Sequence, residues 1–236
     1  RRSYEHAVRL RALGVDSPEP VAWSEYRRRG LLCDSYYVSR RSDYTPLSQT
    51  TARFPAAGTL PVLEAFARFT VQLHEKGIEH RDFNHGNILW DRTPAGAYRF
   101  QLIDINRMHF DDRPLSSRAC MINLRRLSCP AVAFLYILDR YAETRGWDVD
   151  DTLLRGTFFR LAFGRRISAA SSCASGSGTA RADFFAKKIR QTFGFTDYFA
   201  TFANDKSHRM MRAYGFAYYF YYFFFYSKGK SGIACN

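Results

Sequence analysis

The stretch that most constrains this chain runs from residue 73 to residue 106: Leu-His-Glu-Lys-Gly-Ile-Glu-His-Arg-Asp-Phe-Asn-His-Gly-Asn-Ile-Leu-Trp, a polar turn, then Phe-Gln-Leu-Ile-Asp-Ile-Asn. An apolar helical pattern leads into His80-Arg81-Asp82, and a short loop carries Asn87. Strands are predicted at Ile88 to Trp90 and at Phe100 to Ile103, the second delivering Asp104. The turn Asp91-Arg92-Thr93-Pro94-Ala95-Gly96 makes them a hairpin whose open end brings Asn87 and Asp104 together.

These residue types at this spacing suit phosphoryl transfer. That reaction asks little covalent chemistry of a protein, but it needs cations on the phosphates and a hydroxyl held in line for attack. Asp82, at a loop apex, is the candidate to accept or orient the proton of an attacking hydroxyl. Asn87 offers an amide oxygen to Mg²⁺, and Asp104 a carboxylate, a donor set that Mg²⁺ completes with phosphate oxygens and water. The plainer alternative is that His80 and Arg81 brace a turn and Asp104 caps a strand.

His-Arg-Asp, an Asn five residues later and two apolar residues before an Asp one hairpin on resemble the catalytic and metal-binding loops of the protein-kinase-like superfamily. Where that superfamily has Asp-Phe-Gly, this chain has Asp104-Ile105-Asn106. Ile105 is expected to plug an apolar slot and Asn106 to take the glycine's left-handed backbone. No Ala-Pro-Glu follows, which argues against protein substrates. Together with Leu102-Ile103-Asp104-Ile105-Asn106-Arg107-Met108, the central stretch is most similar to the bacterial lipopolysaccharide kinase family, the Kdo-kinase-like enzymes, with the resemblance extending from residue 1 to about 165.

That resemblance implies an α+β, protein-kinase-like two-lobed fold with a mainly helical lower lobe. Residues 1-45 would be the remainder of an upper lobe and its hinge, and residues 46-167 the lower lobe with the catalytic and metal loops. Neither a Gly-rich phosphate loop nor a Val-Ala-Ile-Lys-like strand occurs in residues 1-45, so the fold is expected to be N-terminally truncated. The helix expected over Arg1 to Leu13 would be the one whose Glu pairs with the phosphate-contacting Lys, making Glu5 the candidate, with a solvated acid on a basic helix as the alternative. Strands at Val21 to Ser24 and Leu31 to Val38, joined by Arg27-Arg28-Arg29-Gly30, would lead to an adenine-holding hinge near Val38 to Arg40.

The chain's 236 residues suffice for a sizeable core. A formal charge of +13 and a pI near 9.8 suit anionic partners without choosing among nucleotide, nucleic acid and acidic lipid. Because the basic residues are scattered, no nucleic acid is expected. Cysteines at 33, 120, 129, 173 and 235 show neither Cys-x-x-Cys nor zinc-type spacing, which points to a reduced, cytoplasmic setting. No secretory signal is visible.

A helix over Leu60 to Lys76, with Leu63, Phe66, Ala67, Thr70 and Leu73 on its inner face, is expected to aim the His80 loop, with His74 and His85 structural or solvated. Arg107 and His109 are candidates to hold the acceptor's charge, and Arg125 and Arg126 to form a basic acceptor surface. An apolar run from Met121 to Tyr141 is broken at Cys129-Pro130, and Trp147 to Phe163 continues as helix, with Leu153, Leu154 and Phe158 as its apolar residues. Residues 168-181 read as a Ser/Gly/Ala loop, and 182-236 as a basic helix and aromatic tail. The uncharged aromatic run from Ala213 to Tyr226 is shorter than the roughly 20 residues a spanning helix needs, but it suits a membrane interface.

The expected activity is ATP- and Mg²⁺-dependent phosphorylation of a sugar hydroxyl in the lipopolysaccharide inner core, at or beside the cytoplasmic face of a bacterial inner membrane. The rivals are a protein Ser/Thr kinase or another small-molecule kinase of the superfamily, and a nucleotide-binding pseudokinase.

Overall fold

The computed structural model describes the backbone of residues 1–173 and the side chains of residues 1–164. It divides into Arg1–Arg145 and Gly146–Asn236. The basic helix and aromatic tail expected over residues 182-236 lie outside the described residues.

The first unit opens with α1 (Arg2–Ala12) and a two-stranded antiparallel ribbon of β1 (Pro20–Arg28) and β2 (Leu31–Ser39). Only part of the apolar residues of α1 faces inward. Ala7 and Leu10 are buried, whereas Val8 is 48% exposed. After residues 40–44, β3 (Thr45–Pro46) joins the edge of a sheet completed by β5 (Ile88–Arg92) and β6 (Tyr98–Leu102), in the order β3-β5-β6. Between them in sequence come α2 (Leu47–Arg53), α3 (Thr59–Glu75) and β4 (Ile78–His80). A single 3₁₀ turn (Ile105–Arg107) then leads into β7 (Met108–Phe110), which pairs antiparallel with β4. Two helices, α4 (Ser117–Leu124) and α5 (Ala131–Arg145), close the unit, separated at Cys129-Pro130 as the proline requires.

Helix α3 is the spine of this unit. Val62, Leu63, Phe66, Ala67, Thr70, Val71, Leu73 and His74 are buried along it at three- and four-residue spacing, the pattern of a helix with a wide apolar stripe. One side packs on α5. Phe66 reaches both Phe83 of the His80 loop, at 5.9 Å between ring centroids, and Phe100 of β6, at 5.8 Å. The helix stops at Gly77, whose φ of +69° suits glycine and leaves no room for a side chain. A Cβ there would sit 2.6 Å from the Arg113 carbonyl and closer still to that of Asp111. The chain therefore reverses at a fixed point and enters β4 directly before His80.

In the second unit, α6 (Val149–Cys173) carries its buried positions at Thr152, Leu153, Gly156 and Thr157. Leu154 and Phe158, counted with Leu153 in the sequence pattern, fall on the opposite side and are 38% and 50% exposed. The helix also continues through residues 168–173, the first part of the segment expected as a loop, where Ala169 and Ala170 are strong helix formers. The remainder of that segment lies outside the described residues.

Because Phe66 bridges the helix, the loop after His80 and the sheet, Phe66→Ala should lower unfolding free energy by about 3–5 kcal/mol. Urea denaturation would measure this, and a loss below about 1 kcal/mol would show that Phe66 is not central to the core.

Candidate active site

His80 ends β4 and is 1% exposed, yet both of its ring nitrogens are partnered. Nε2 lies 2.9 Å from the Ile103 carbonyl, and the Asp82 N–H donates to Nδ1 at 3.2 Å. A carbonyl only accepts, so Nε2 carries the proton, and Nδ1 must be bare to accept from Asp82. The ring is therefore neutral. Burial, the largest influence, holds its pKa below the usual histidine value, against the opposing effects of the Ile103 carbonyl and the charges of Asp82 and Asp104.

A second layer of buried hydrogen bonds supports that ring. Asn123 of α4 donates through Nδ2 to the His80 carbonyl at 2.8 Å, and its Oδ1 lies 3.0 Å from His74 Nε2. The other nitrogen of His74 lies 2.9 Å from the Tyr141 hydroxyl. With its Nδ2 donating elsewhere, Asn123 accepts through Oδ1, which puts the His74 proton on Nε2 and makes Tyr141 the donor to Nδ1. His74 is fully buried, and that burial lowers its pKa to about 4. His74 is thus structural, one of the two roles left open for it.

The loop beyond His80 is wound on Asn84, whose Oδ1 accepts from the backbone N–H groups of Gly86 at 2.8 Å and Asn87 at 3.2 Å, an Asx turn. Asn87 in turn donates through Nδ2 to the Asp82 carbonyl at 3.0 Å. Its own carbonyl accepts from the Ile103 N–H at 3.0 Å, extending the β5–β6 ladder by one step. Asp82, Asn87 and the residue before Asp104 are thereby stitched together by direct hydrogen bonds.

Asp104 has φ +51° and ψ +50°, so it, and not Asn106, takes the left-handed backbone. Asn106 lies within the 3₁₀ turn. The strand must break away from β5 immediately after Ile103, so the reversal falls on Asp104, a residue type that tolerates the region better than most. Ile105 does occupy an apolar site, being 4% exposed. The Asp104 carboxylate is exposed and has no hydrogen bond or ion pair among the described residues. Since Asn87 spends its amide nitrogen on Asp82, its oxygen remains the free end of that group. An exposed carboxylate and an amide oxygen at one sheet end are hard oxygen donors that fit Mg²⁺. Among the described residues no cluster of three His, Cys, Asp or Glu side chains could hold a metal ion by itself.

The remaining candidates are distributed otherwise. Arg81 is exposed, and its guanidinium meets Glu79 at 3.3 Å, outside the loop. Glu5 is exposed and pairs with Arg1 one turn back at 2.7 Å. The contact from α1 to the site is made instead by His6, whose Nδ1 lies 2.7 Å from the Ile105 carbonyl. Val38 lies on β2, 51% exposed and paired with Ala22. Arg107 is exposed, and His109 faces Asp111 at 3.6 Å. Arg125 and Arg126 are half-buried. His85 Nδ1 meets the Thr51 hydroxyl at 2.8 Å. His6, Asn84 and Asn123 escaped the sequence reading. The Asn84 turn was the accessible one, because Asn two residues before Gly is a turn signal. An open cleft of about 640 Å³ lined by Arg68, Gln72, Lys76 and Arg99 adjoins the turn of the β5–β6 hairpin, at the other end from Asn87 and Asp104, and includes none of the site residues.

The buried histidine has a consequence for acid stability. The unfolded chain protonates His74 near 6.5, the folded chain only near 4, so between these values the unfolded state binds more protons. Stability should be full above pH 6.5 and fall by about 3 kcal/mol towards pH 4, with His80 acting in the same direction. His74→Gln should flatten this dependence in urea titrations across that window, and equal slopes in both proteins would refute a neutral buried His74. Asn123→Leu strands the His80 carbonyl and the His74 N–H in the interior. Its expected cost is about 1–3 kcal/mol for each group, read as a shift in the denaturation midpoint.

No curated protein matches the chain. Among solved structures, WaaP in complex with acyl carrier protein is similar with a TM-score of 0.51 at 22% identity, covering 70% of this chain and 73% of that one. The Rio2 kinase-ADP/Mg²⁺-phosphoaspartate complex from Chaetomium thermophilum aligns with a TM-score of 0.38 at 20% identity, over 81% of this chain and 52% of that one. The WaaP likeness agrees with the kinase-like fold. Residues 2–143, which hold the whole site just described, match the Lipopolysaccharide kinase (Kdo/WaaP) family, and the chain belongs to that family of kinases.

Proposed function

We propose that the chain transfers the γ-phosphate of ATP to a hydroxyl of a sugar in the lipopolysaccharide inner core. The single observation that carries this reading is the hydrogen-bonded closure of Asp82, Asn87 and the Ile103-Asp104 strand end. Asp82, half-buried and, among the described residues, with only a long 3.4 Å contact from Asn84 Nδ2 on its carboxylate, orients the acceptor hydroxyl and takes up its proton. As the hydroxyl oxygen bonds to the γ-phosphorus, the bond to the β–γ bridging oxygen breaks and ADP leaves with that electron pair. Asn87 and Asp104 hold Mg²⁺, which when bound neutralises charge on the phosphates. His80 fixes the height of the loop by tying Asp82 to Ile103. Near Val38, backbone groups at the end of β2 would meet the adenine, and Glu5, which now pairs with Arg1 on the surface, would have to leave that partner to serve as the lysine's carboxylate. Family membership and the positive charge support an anionic glycolipid acceptor, met at the cytoplasmic face of the inner membrane.

Transfer of label from γ-labelled ATP with Mg²⁺ to a truncated lipopolysaccharide core, beside a generic protein, tests the proposal. Asp82→Asn should slow transfer by about 10²–10⁴-fold, and Asp104→Asn should abolish the Mg²⁺ dependence along with the activity. Label appearing on the protein alone would replace the glycolipid by a protein substrate. Bound Mg-ATP with no transfer would make the chain a pseudokinase.

A further inference from the structure

The β1–β2 ribbon is largely exposed on both faces and touches α1 on one of them. Its register sets Trp23 opposite Tyr37 and Glu25 opposite Ser35 on one side, and Ala22 opposite Val38, Ser24 opposite Tyr36 and Tyr26 opposite Asp34 on the other. The first face meets α1, with the Arg1 guanidinium 5.9 Å from the Trp23 ring centre. The second is open, leaving Tyr26 58%, Tyr36 61% and Val38 51% exposed. Arg29 and Gly30 are both left-handed, at φ +52° and +80°, and Arg28 pairs with Leu31 across them. That is a two-residue turn of the type that matches strand twist, and it drives the tip outward with Leu31 74% and Leu32 51% exposed. Arg27 pairs with Glu25 at 3.0 Å, but among the described residues Arg28 and Arg29 have no ion-pair partner.

Two arginines without an ion pair and two bare leucines at one projecting tip, with Tyr26, Tyr36 and a single acid, Asp34, set back along the open face, are an unusual surface for a protein bathed only in water. All but the acid have a place at the surface of an anionic bilayer. Arginines pair with lipid phosphates, leucines enter the boundary of the acyl region, and tyrosines sit at headgroup level. We propose that the tip of the β1–β2 hairpin, Tyr26 to Leu32 with Tyr36, docks this protein on anionic lipid bilayers. The partner is the lipid surface itself, chosen by charge complementarity with Arg28 and Arg29. This deepens the reading that the acceptor is a membrane glycolipid.

Co-sedimentation with phosphatidylethanolamine vesicles, with and without phosphatidylglycerol, provides the test. The protein should partition onto the phosphatidylglycerol vesicles and come off as salt rises. Each arginine near an anionic surface is worth about fivefold in partitioning, so Arg28→Glu with Arg29→Glu should weaken binding at least tenfold, and Leu31→Ser with Leu32→Ser should weaken it without changing net charge. Arg53→Glu with Arg118→Glu, exposed residues on other elements that make the same charge change, should stay within about twofold. Since the substituted tip residues are exposed, unchanged thermal melts are expected and would exclude unfolding. No binding to anionic vesicles, equal loss in the control pair, or full binding by both tip variants would each overturn the proposal. Asp82→Asn should bind vesicles as the wild type does, and the tip variants should still phosphorylate a detergent-dispersed acceptor. Failure of the docking surface is therefore separable from failure of the kinase reading.

Discussion

The side-chain amide of Asn123 is the hinge pin of this structure. Its nitrogen donates to the His80 carbonyl and its oxygen accepts from His74, so one buried group joins α3, α4 and β4. A buried amide left half-paired is costly, and a fully paired one in a low-dielectric interior is rigid. That rigidity passes outward through His80, which has only one protonation state and one tautomer compatible with its neighbours, to Asp82 on one side and Ile103 on the other. The carboxylates of the site, half-buried Asp82 and exposed Asp104, stand on a base whose two histidines are held neutral.

This division of labour suits phosphoryl transfer. The reacting groups must be wet enough to meet nucleotide and acceptor, but their spacing must not drift, since positioning and electrostatics supply most of the rate. Asp104 meets both needs by carrying the left-handed reversal itself. The strand holds it up to Ile103, and the 3₁₀ turn, anchored by buried Ile105 and the His6 contact, holds it from beyond. Helix α1 thus reaches the turn after Asp104 through a histidine, while its Glu5 stays on the surface with Arg1.

The same unit carries a protected end and an unprotected one. Phe66, Phe83 and Phe100 seal the core behind the site, whereas the β1–β2 ribbon ends in bare leucines and arginines.

What the sequence determined by itself is what nearest-neighbour chemistry encodes. Three- and four-residue apolar spacing is enough to mark α3, Gly77 to end it, and alternation with a polar turn to form the β5–β6 hairpin, so Asn87 and Asp104 could be assigned to one sheet end without coordinates. The Asp82 loop was legible for the same reason. Its residues lie within six positions of one another. Tertiary structure alone decided which partners hold that loop, because His6 meets a carbonyl 99 residues away and Asn123 one 43 residues away, and nothing in the local pattern distinguishes either from a solvated polar side chain. It also decided which side of α1 and α6 is buried, and that Asp104 rather than Asn106 turns left-handed. In each case the outcome depends on what packs against the segment, a property of the folded chain rather than of its neighbours in sequence.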